Sequence, residues 1–300
     1  MIKLDQQTMK GHVTNFRVLK EPAFWETAWL QARDASLFRT NKSLEEKVNS
    51  WNRRARSFKE NTAGEKGRKR VENVLQWLDS QGVILDSVKV LDIGAGPGTF
   101  ALAFAERAEE VVAVEPAEAM VSFLQEKIAR QECRNIRVVA KTWEELDPNK
   151  EKWEDRFDLV FASMSPGINN WETLEKALCC ANKYCYISSF AGKRKNDVLE
   201  ELWPELFDEK MPPWPGDIIY LFNLLYAKGL ELSFRVWEEK WSDNITSEAA
   251  ITNMLETISM YGRDPLELED KIKVFVGQRS QNGTFRQETV TRLGQILVKI

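Results

Sequence analysis

The stretch that decides the fold is Val90-Leu-Asp-Ile-Gly-Ala-Gly-Pro-Gly-Thr-Phe100. It passes from a continuous apolar run, typical of a buried strand, through closely spaced glycines into a helical pattern. Gly94, Gly96 and Gly98 allow the backbone to turn sharply and to approach a ligand without an intervening Cβ atom. Such a turn places free backbone N–H groups at the carboxyl end of a strand. The stretch therefore predicts a ligand-binding loop in an open α/β sheet.

The sequence around this loop alternates between short apolar runs and helical patterns. Strands are expected at 88–93, 111–114, 136–140, 157–162, 184–190, 231–240 and 295–300, and helices at 100–108, 117–130 and 173–181. Continuous apolar strands separated by helices predict an α/β fold with a mainly parallel sheet and helices on both faces. Mainly helical insertions are expected near 196–230 and 247–280, although 268–276 fits either a helix or a short strand.

The first 82 residues are predicted to form a helical cap, and residues 83–300 the ligand-binding core. Leu44, Val48, Trp51, Ala55 and Phe58 share one helical face, since they recur at spacings of four and three. A Ser–Glu pair three residues apart at 43 and 46 is typical of a capping box. A second amphipathic helix is expected to follow and to end near position 82.

The composition excludes several classes of protein. The 300 residues carry a net charge of −4, with one histidine and four cysteines. One histidine, His12, argues against a histidine-based zinc site, and the spacing of Cys179, Cys180 and Cys185 lacks the paired C-x-x-C of zinc sites, so no metal is expected. These three cysteines are instead expected in the core. The slight acidic excess disfavours non-specific nucleic-acid binding.

The distribution of apolar residues gives no sign of a membrane partner. The N-terminus lacks the apolar region of a secretion signal. The most apolar run, Ile218–Ala227, is about half of the roughly 20 residues that a membrane span needs. A cytoplasmic protein is therefore expected.

Two acidic residues indicate which ligand the loop binds. Asp92 lies two residues before the first glycine, and Glu115 ends the second strand. The glycines are spaced G-x-G-x-G, whereas the dinucleotide fingerprint is G-x-G-x-x-G. A carboxylate beside the loop would repel a pyrophosphate but would suit an ammonium group, and one at the second strand can accept both hydroxyls of a ribose. The pattern favours S-adenosylmethionine over a nicotinamide cofactor.

Residues 88–162 resemble the class I S-adenosylmethionine-dependent methyltransferases. Val90–Phe100 is similar to the first motif of the family, Val111–Met120 to the second, and Phe157–Ala162 to the motif at the fourth strand. The resemblance continues more loosely to residue 190 and indicates no subfamily. It implies a Rossmann-like fold with a mainly parallel seven-stranded sheet, and S-adenosyl-L-methionine as the cofactor.

The family's cofactor contacts can be carried over to matching positions in this chain. The resemblance implies that Asp92 binds the methionine amino group and Glu115 the ribose hydroxyls. Pro116 and Met120 would line the adenine. The remaining expected cofactor contacts lie in the glycine loop, at Gly94, Ala95, Gly96 and Gly98.

After the third strand, this chain departs from the family pattern. An acid that binds the adenine amino group is usual there, whereas this chain has Thr142 and Trp143. We expect Trp143 to offer its backbone N–H and a ring edge to adenine instead. Ser163, at the end of the fourth strand, is expected near the methyl group.

The loop Ser163–Asn170 is expected to face the methyl acceptor. It lacks the Asn/Asp-Pro-Pro-aromatic motif of the family members that methylate amino groups of nucleic acids or protein glutamine. Residues expected to line the acceptor pocket are Ser165, Asn169, Asn170 and Phe58. No general base is identified, and in-line positioning of an already activated methyl group need not use one.

The resemblance therefore implies a methyltransferase, for which we expect a small-molecule acceptor and a monomeric or homodimeric state. The alternatives are a methyltransferase that acts on RNA or protein, and a non-catalytic S-adenosylmethionine-binding protein. A nicotinamide-dependent dehydrogenase is disfavoured by the glycine spacing.

Overall fold

The computed structural model describes residues 17–34, 43–62, 64–211, 217–260 and 266–300. These residues form one seven-stranded sheet with the strand order β3-β2-β1-β4-β5-β7-β6. The strands are β1 Lys89–Ile93, β2 Glu110–Val114, β3 Ile136–Val139, β4 Phe157–Ser163, β5 Ala181–Asn196, β6 Glu231–Thr246 and β7 Thr284–Lys299. Neighbours from β3 to β5 are parallel, and β7 runs antiparallel between β5 and β6. This confirms the predicted mainly parallel sheet.

Helices cover both faces of the sheet, as predicted. They are α1 Pro22–Asp34, α2 Leu44–Thr62, α3 Gly64–Ser80, α4 Thr99–Ala105, α5 Glu118–Arg130, α6 Pro148–Glu151, α7 Trp171–Cys180, α8 Asp197–Phe207, α9 Ile219–Ala227, α10 Ser247–Met260 and α11 Glu269–Arg279. One buried cluster joins α3 and α4 to the face of the sheet that carries Phe161 and Tyr186. We call this the α3 face. The other cluster joins α1, α7 and α9 to the opposite face.

Local sequence signals place the N-terminal helices well. At the start of α2, the backbone N–H of Ser43 donates to Glu46 Oε2 at 2.6 Å, and the backbone N–H of Glu46 donates to Ser43 Oγ at 3.2 Å. This is the predicted capping box. The predicted apolar face of α2 packs against α5, where Ala55 and Met120 are both buried.

The last three strands are longer than the sequence patterns indicate. Strand β7 begins at Thr284 rather than near 295, and β5 and β6 continue to Asn196 and Thr246. The predicted bounds are wrong because the outer part of β7 alternates apolar with polar side chains and is held by pairing to distant segments. The ambiguous segment 268–276 lies mostly in helix α11.

Beyond Phe190, Trp237 and Leu293, these three strands form what we call the sheet extension, residues 191–196, 238–246 and 284–292. Ser188 of β5 lies level with Ser163, where β4 ends, so the extension projects past the carboxyl edge of the parallel strands. Helices α8, α10 and α11 pack on the extension around a core of their own. Both predicted helical insertions therefore contribute to one structure.

Two remaining expectations concern cysteines and histidine. Cys180 and Cys185 are buried as predicted, but Cys179 is exposed on α7, so its predicted place in the core is wrong. The described residues contain no cluster of three metal-binding side chains. His12 lies outside the described residues. Within the described part of the chain, no helix has the length and apolar character needed to cross a bilayer.

Candidate cofactor and acceptor site

The glycine loop joins β1 to α4 in a left-handed backbone conformation. The φ angles of Gly94, Gly96 and Gly98 are 78°, 55° and 81°. The N–H groups of Gly94 and Ala95 both donate to the carbonyl oxygen of Val114, at 2.8 and 3.0 Å. This conformation favours glycine and fixes the loop against the end of β2.

Two of these glycines also lie where a side chain would not fit. A Cβ atom on Gly94 would lie 2.5 Å from Ser165 Oγ, and one on Gly98 would overlap Leu124 Cδ1. The first contact brings the loop after β4 directly beside the glycine loop. Ser165 therefore lies beside the glycine loop.

Glu115 lies at the end of β2 and is only 7% exposed. Its Oε2 accepts a hydrogen bond from the Gly96 N–H at 2.8 Å, and its Oε1 accepts one from Ala117 N–H at 2.9 Å. Burial raises the pKa of Glu115, while these two N–H groups act to lower it. Because each carboxylate oxygen can accept a second bond, Glu115 keeps acceptor capacity for a ligand diol.

Asp92 lies on β1, immediately below the glycine loop, and is 2% exposed. Its Oδ2 has no hydrogen-bond partner among the described residues. Burial, together with the negative charge of Glu115, raises the pKa of Asp92 to about 8, against a lowering by the backbone N–H of Ala101. A buried carboxyl oxygen without a partner is costly, so a bound cation would relieve this site.

Helix α2 covers the glycine loop. The ring of Phe58 lies 3.7 Å from the position that a Cβ atom on Gly96 would take. Asn52 Oδ1 accepts a hydrogen bond from Ala119 N–H at 3.1 Å, which ties α2 to the start of α5. Phe58 thus lies against the cofactor loop rather than on the acceptor loop. Met120 is buried beneath the same helix.

The side chains of the segment after β3 bind other groups of the protein, whereas the sequence pattern predicted ligand contacts. Thr142 Oγ1 donates to Glu145 Oε2 at 2.6 Å. The Trp143 indole is 2% exposed, and its Nε1 donates to the carbonyl of Thr173 at 2.8 Å. The prediction that the ring edge of Trp143 faces adenine is therefore wrong, because the indole belongs to the core. This leaves its backbone N–H as the proposed contact.

The ends of β4 and β5 place two serines together. Ser163 Oγ lies 3.1 Å from Ser188 Oγ, and Ser188 is buried. The sequence patterns did not single out Ser188. A polar residue near the carboxyl end of the expected strand 184–190 could have indicated it as a site residue. Met164, the next residue after Ser163, has a φ of 55°, a left-handed conformation that is unusual for a side chain other than glycine. Such local strain is common at functional sites.

The loop that follows is held by capping and by α1. Asn170 Oδ1 accepts from Thr173 N–H at 2.8 Å and caps α7, so the prediction that its side chain lines the acceptor pocket is wrong. Asn is preferred at this position because its side chain satisfies a free helical N–H. Asn169 Nδ2 donates to Glu144 Oε1 at 2.7 Å, and its carbonyl accepts from Arg33 Nη1 at 3.1 Å. Asn169 therefore joins the loop to α1.

Comparisons with known proteins agree with this fold and loop. Residues 90–185 match a family model described as a methyltransferase domain. A Haemophilus influenzae protein described as uncharacterized is 28% identical over 193 residues. That match covers 63% of this chain and 66% of the length of the relative, just under two thirds.

The chain is also similar to solved structures. Magnesium protoporphyrin IX methyltransferase from Synechocystis PCC 6803, with bound S-adenosylhomocysteine, has a TM-score of 0.51 at 12% identity, covering 85% of this chain and 99% of that one. A SAM-dependent methyltransferase from Aquifex aeolicus has a TM-score of 0.41 at 18% identity, covering 55% and 81%. At these identities the likeness concerns the fold. Residues 90–185 are therefore similar to the methyltransferase domain that this family model describes, and the fold is shared with the Synechocystis enzyme.

Proposed function

We propose that this protein transfers a methyl group from S-adenosylmethionine to a small-molecule acceptor. One observation carries the proposal: two buried acids, Asp92 and Glu115, flank a left-handed glycine loop, and Asp92 Oδ2 has no partner among the described residues. A pyrophosphate would further disfavour ionisation of these acids, whereas an ammonium group favours the ionised form of Asp92 and a ribose diol can donate to Glu115.

The residues around the loop suit this cofactor. The free oxygen of Asp92 accepts a hydrogen bond from the methionine ammonium group. The remaining lone pairs of Glu115 accept hydrogen bonds from the ribose hydroxyls. Helix α2 and Met120 cover the nucleoside side and exclude water. When bound, the cofactor supplies a methyl group already activated by a sulfonium.

The proposed acceptor lies over the ends of β4 and β5, beside Ser163 and Ser188. The loop that follows Ser163 is covered from the opposite face of the sheet, where Trp29 of α1 is buried in one cluster with Ile168 of the loop and Leu221 of α9. This covering favours a small acceptor over a folded macromolecule. The net charge of −4 also disfavours a nucleic-acid acceptor.

Calorimetry tests the cofactor assignment. The demethylated product, S-adenosylhomocysteine, is expected to bind, and NAD is not. Glu115→Ala is expected to weaken binding by about 1–3 kcal/mol, because the ribose loses a buried acceptor. Glu110→Ala is the matched control: Glu110 begins the same strand and binds Arg156 at 2.7 Å, away from the loop. Equal affinities for the wild type and Glu115→Ala would contradict the role of Glu115.

Transfer from isotopically labelled cofactor tests the class of acceptor. The enzyme is incubated with separated small-molecule, RNA and protein fractions of a cell extract. Label in the small-molecule fraction is the expected result. Label in RNA or protein alone would contradict a small acceptor, and tight cofactor binding with no transfer to any fraction would favour a non-catalytic protein.

A further inference from the structure

One row of polar residues crosses the α3 face at the carboxyl edge of the sheet. Val114 pairs with Ile93, so Glu115 and Gly94 lie level where β2 and β1 end. Asp92 pairs with Phe161, which puts Ser163 at the same level. The row continues in register through Ser188, Gln295 and Arg235.

The register also fixes the face to which this row belongs. Phe161, Tyr186 and Leu297 lie one row below and belong to the cluster that packs on α3 and α4. Side chains two residues along a strand point to the same face. The row therefore leads from the proposed cofactor site to the edge strand β6, three strands beyond β4. At a spacing of about 4.8 Å per strand, Ser163 and Arg235 are about 14 Å apart at the backbone.

The far end of the row is a positively charged cluster. Arg235 Nη2 donates to Asn73 Oδ1 of α3 at 2.7 Å. With its amide oriented to satisfy its neighbours, Gln295 accepts from Arg235 Nε and Nη2 at 2.9 Å and donates to the Tyr186 hydroxyl at 3.0 Å. Asn73 and Gln295 are both neutral amides, so they do not neutralise the charge of Arg235.

Arg70 of α3 adds a second guanidinium to this cluster. Its Nε is buried and has no hydrogen-bond partner among the described residues. Arg70 lies seven residues before Trp77 on α3 and so shares its helical face, and the ring centroids of Trp77 and Tyr186 are 6.1 Å apart. Arg235 lies 5.6 Å from the same Trp77 ring, which brings both arginines to this side of Tyr186. The charges of both guanidinium groups act to lower the pKa of Tyr186, which burial raises. The carboxylate of Glu239 acts in the opposite direction and accepts from Trp237 Nε1 at 3.0 Å.

Arg70 differs from its basic neighbours on α3, because it is partly buried whereas Arg68 and Lys69 are exposed. A buried donor without a partner is unfavourable unless a ligand completes it. A carboxylate or phosphate oxygen is the partner that guanidinium groups bind most strongly.

We propose that the methyl acceptor is a small anion whose acidic group binds between Arg70 and Arg235 while its reacting heteroatom lies at the Ser163–Ser188 pair. This inference rests on the proposed methyl transfer and specifies its substrate class. The acceptor extends along the polar row, and its acidic end and its methylated atom lie at opposite ends of the molecule.

Calorimetry on the protein saturated with S-adenosylhomocysteine tests the inference with one matched pair of probes. The probes are 4-hydroxyphenylacetate, which has a carboxylate opposite a hydroxyl, and its neutral amide, 4-hydroxyphenylacetamide. We expect the carboxylate to bind at least about tenfold more tightly, since hydrogen bonds to a charged group are the stronger ones. Arg70→Gln and Arg235→Gln should each reduce this preference, and Arg70→Lys and Arg235→Lys should restore part of it.

Controls separate this inference from the proposed function and from misfolding. Arg107→Gln removes an arginine that binds Asp86 at the surface and should leave the preference unchanged. Every variant must first bind S-adenosylhomocysteine as the wild type does. Failure of the wild type to bind it would overturn the proposed function itself. Normal cofactor binding with equal or undetectable binding of the two probes, or a preference that persists in both Gln variants, would overturn the anionic acceptor.

Discussion

The two halves of the sheet are built in different ways. In the half formed by β1 and β2, the site is local in sequence: Gly96 and Glu115, which bind each other directly, are 19 residues apart. In the half formed by β5, β7 and β6, Tyr186 and Gln295 are 109 residues apart and still share a hydrogen bond. The first half can therefore be predicted from short sequence motifs, whereas the second half forms only when strands distant in sequence pair.

The two halves also differ in what stabilises them. The core strands lie between two buried clusters on opposite faces. The sheet extension has its own cluster, formed by α8, α10 and α11 with Phe285 at 0% exposure. We therefore expect a substitution in the extension to lower stability without abolishing cofactor binding. A substitution in the glycine loop is expected to lower both stability and cofactor affinity.

Truncation of Phe285 should have the largest effect. Phe285→Ala empties a fully buried position and is expected to destabilise the extension by about 3–5 kcal/mol. The midpoint of thermal unfolding should fall, while the affinity for S-adenosylhomocysteine should change by no more than about twofold. Phe234→Ala is the control, because Phe234 is 38% exposed on the neighbouring strand β6 and should cost less. Loss of cofactor binding in Phe285→Ala would show that the halves are coupled.

A Cβ atom on Gly98 should have the next largest effect. Gly98→Ala combines a left-handed backbone, which costs about 1–2 kcal/mol, with overlap on Leu124, so we expect about 2–4 kcal/mol of destabilisation and a marked loss of cofactor affinity. Gly229→Ala is the matched control: its φ is 82°, close to the 81° of Gly98, but no atom lies within 4 Å of the added Cβ. Equal losses in the two variants would mean that packing at Gly98 contributes nothing.

The charge of Asp92 should give a smaller, pH-dependent effect. Between its ordinary pKa of 3.8 and its folded value of about 8, the folded state keeps a proton that the unfolded state has lost. Stability contributed by this group therefore falls as pH rises through that window. Asp92→Asn should raise the unfolding midpoint relative to wild type by at least about 2 °C at pH 8 and by less at pH 5. A larger gain at pH 5 would contradict the raised pKa.

The same group should release a proton when the cofactor binds. An ammonium group beside Asp92 favours its ionised form, so binding at pH 7 is expected to release up to about one proton. Calorimetry in two buffers of different ionisation enthalpy measures this number. Asp92→Asn should bind more weakly and release fewer protons; proton release that is unchanged in Asp92→Asn would assign it to another group.

The cofactor half was largely predictable from sequence because its signals are local. Conformational freedom at the glycines, a capping box before α2 and acids at strand ends are all readable within a few residues. The Trp143 ring and the Asn170 side chain were placed wrongly because both bind Thr173, through contacts with its backbone carbonyl and backbone N–H. No sequence pattern shows whether a polar side chain will hydrogen-bond to another residue of the protein or to a bound ligand.

The sequence by itself determined the α/β class, the glycine loop and the two acids that suit S-adenosylmethionine, because strand periodicity and backbone freedom act over short distances. Only the tertiary structure decided how far β7 continues into the extension, that Ser188 meets Ser163, and that Arg235 binds Asn73, one helical turn from Arg70 on α3. Those placements depend on contacts between segments that are 25 to 162 residues apart, and strand register is set by the packing of whole faces rather than by any single motif.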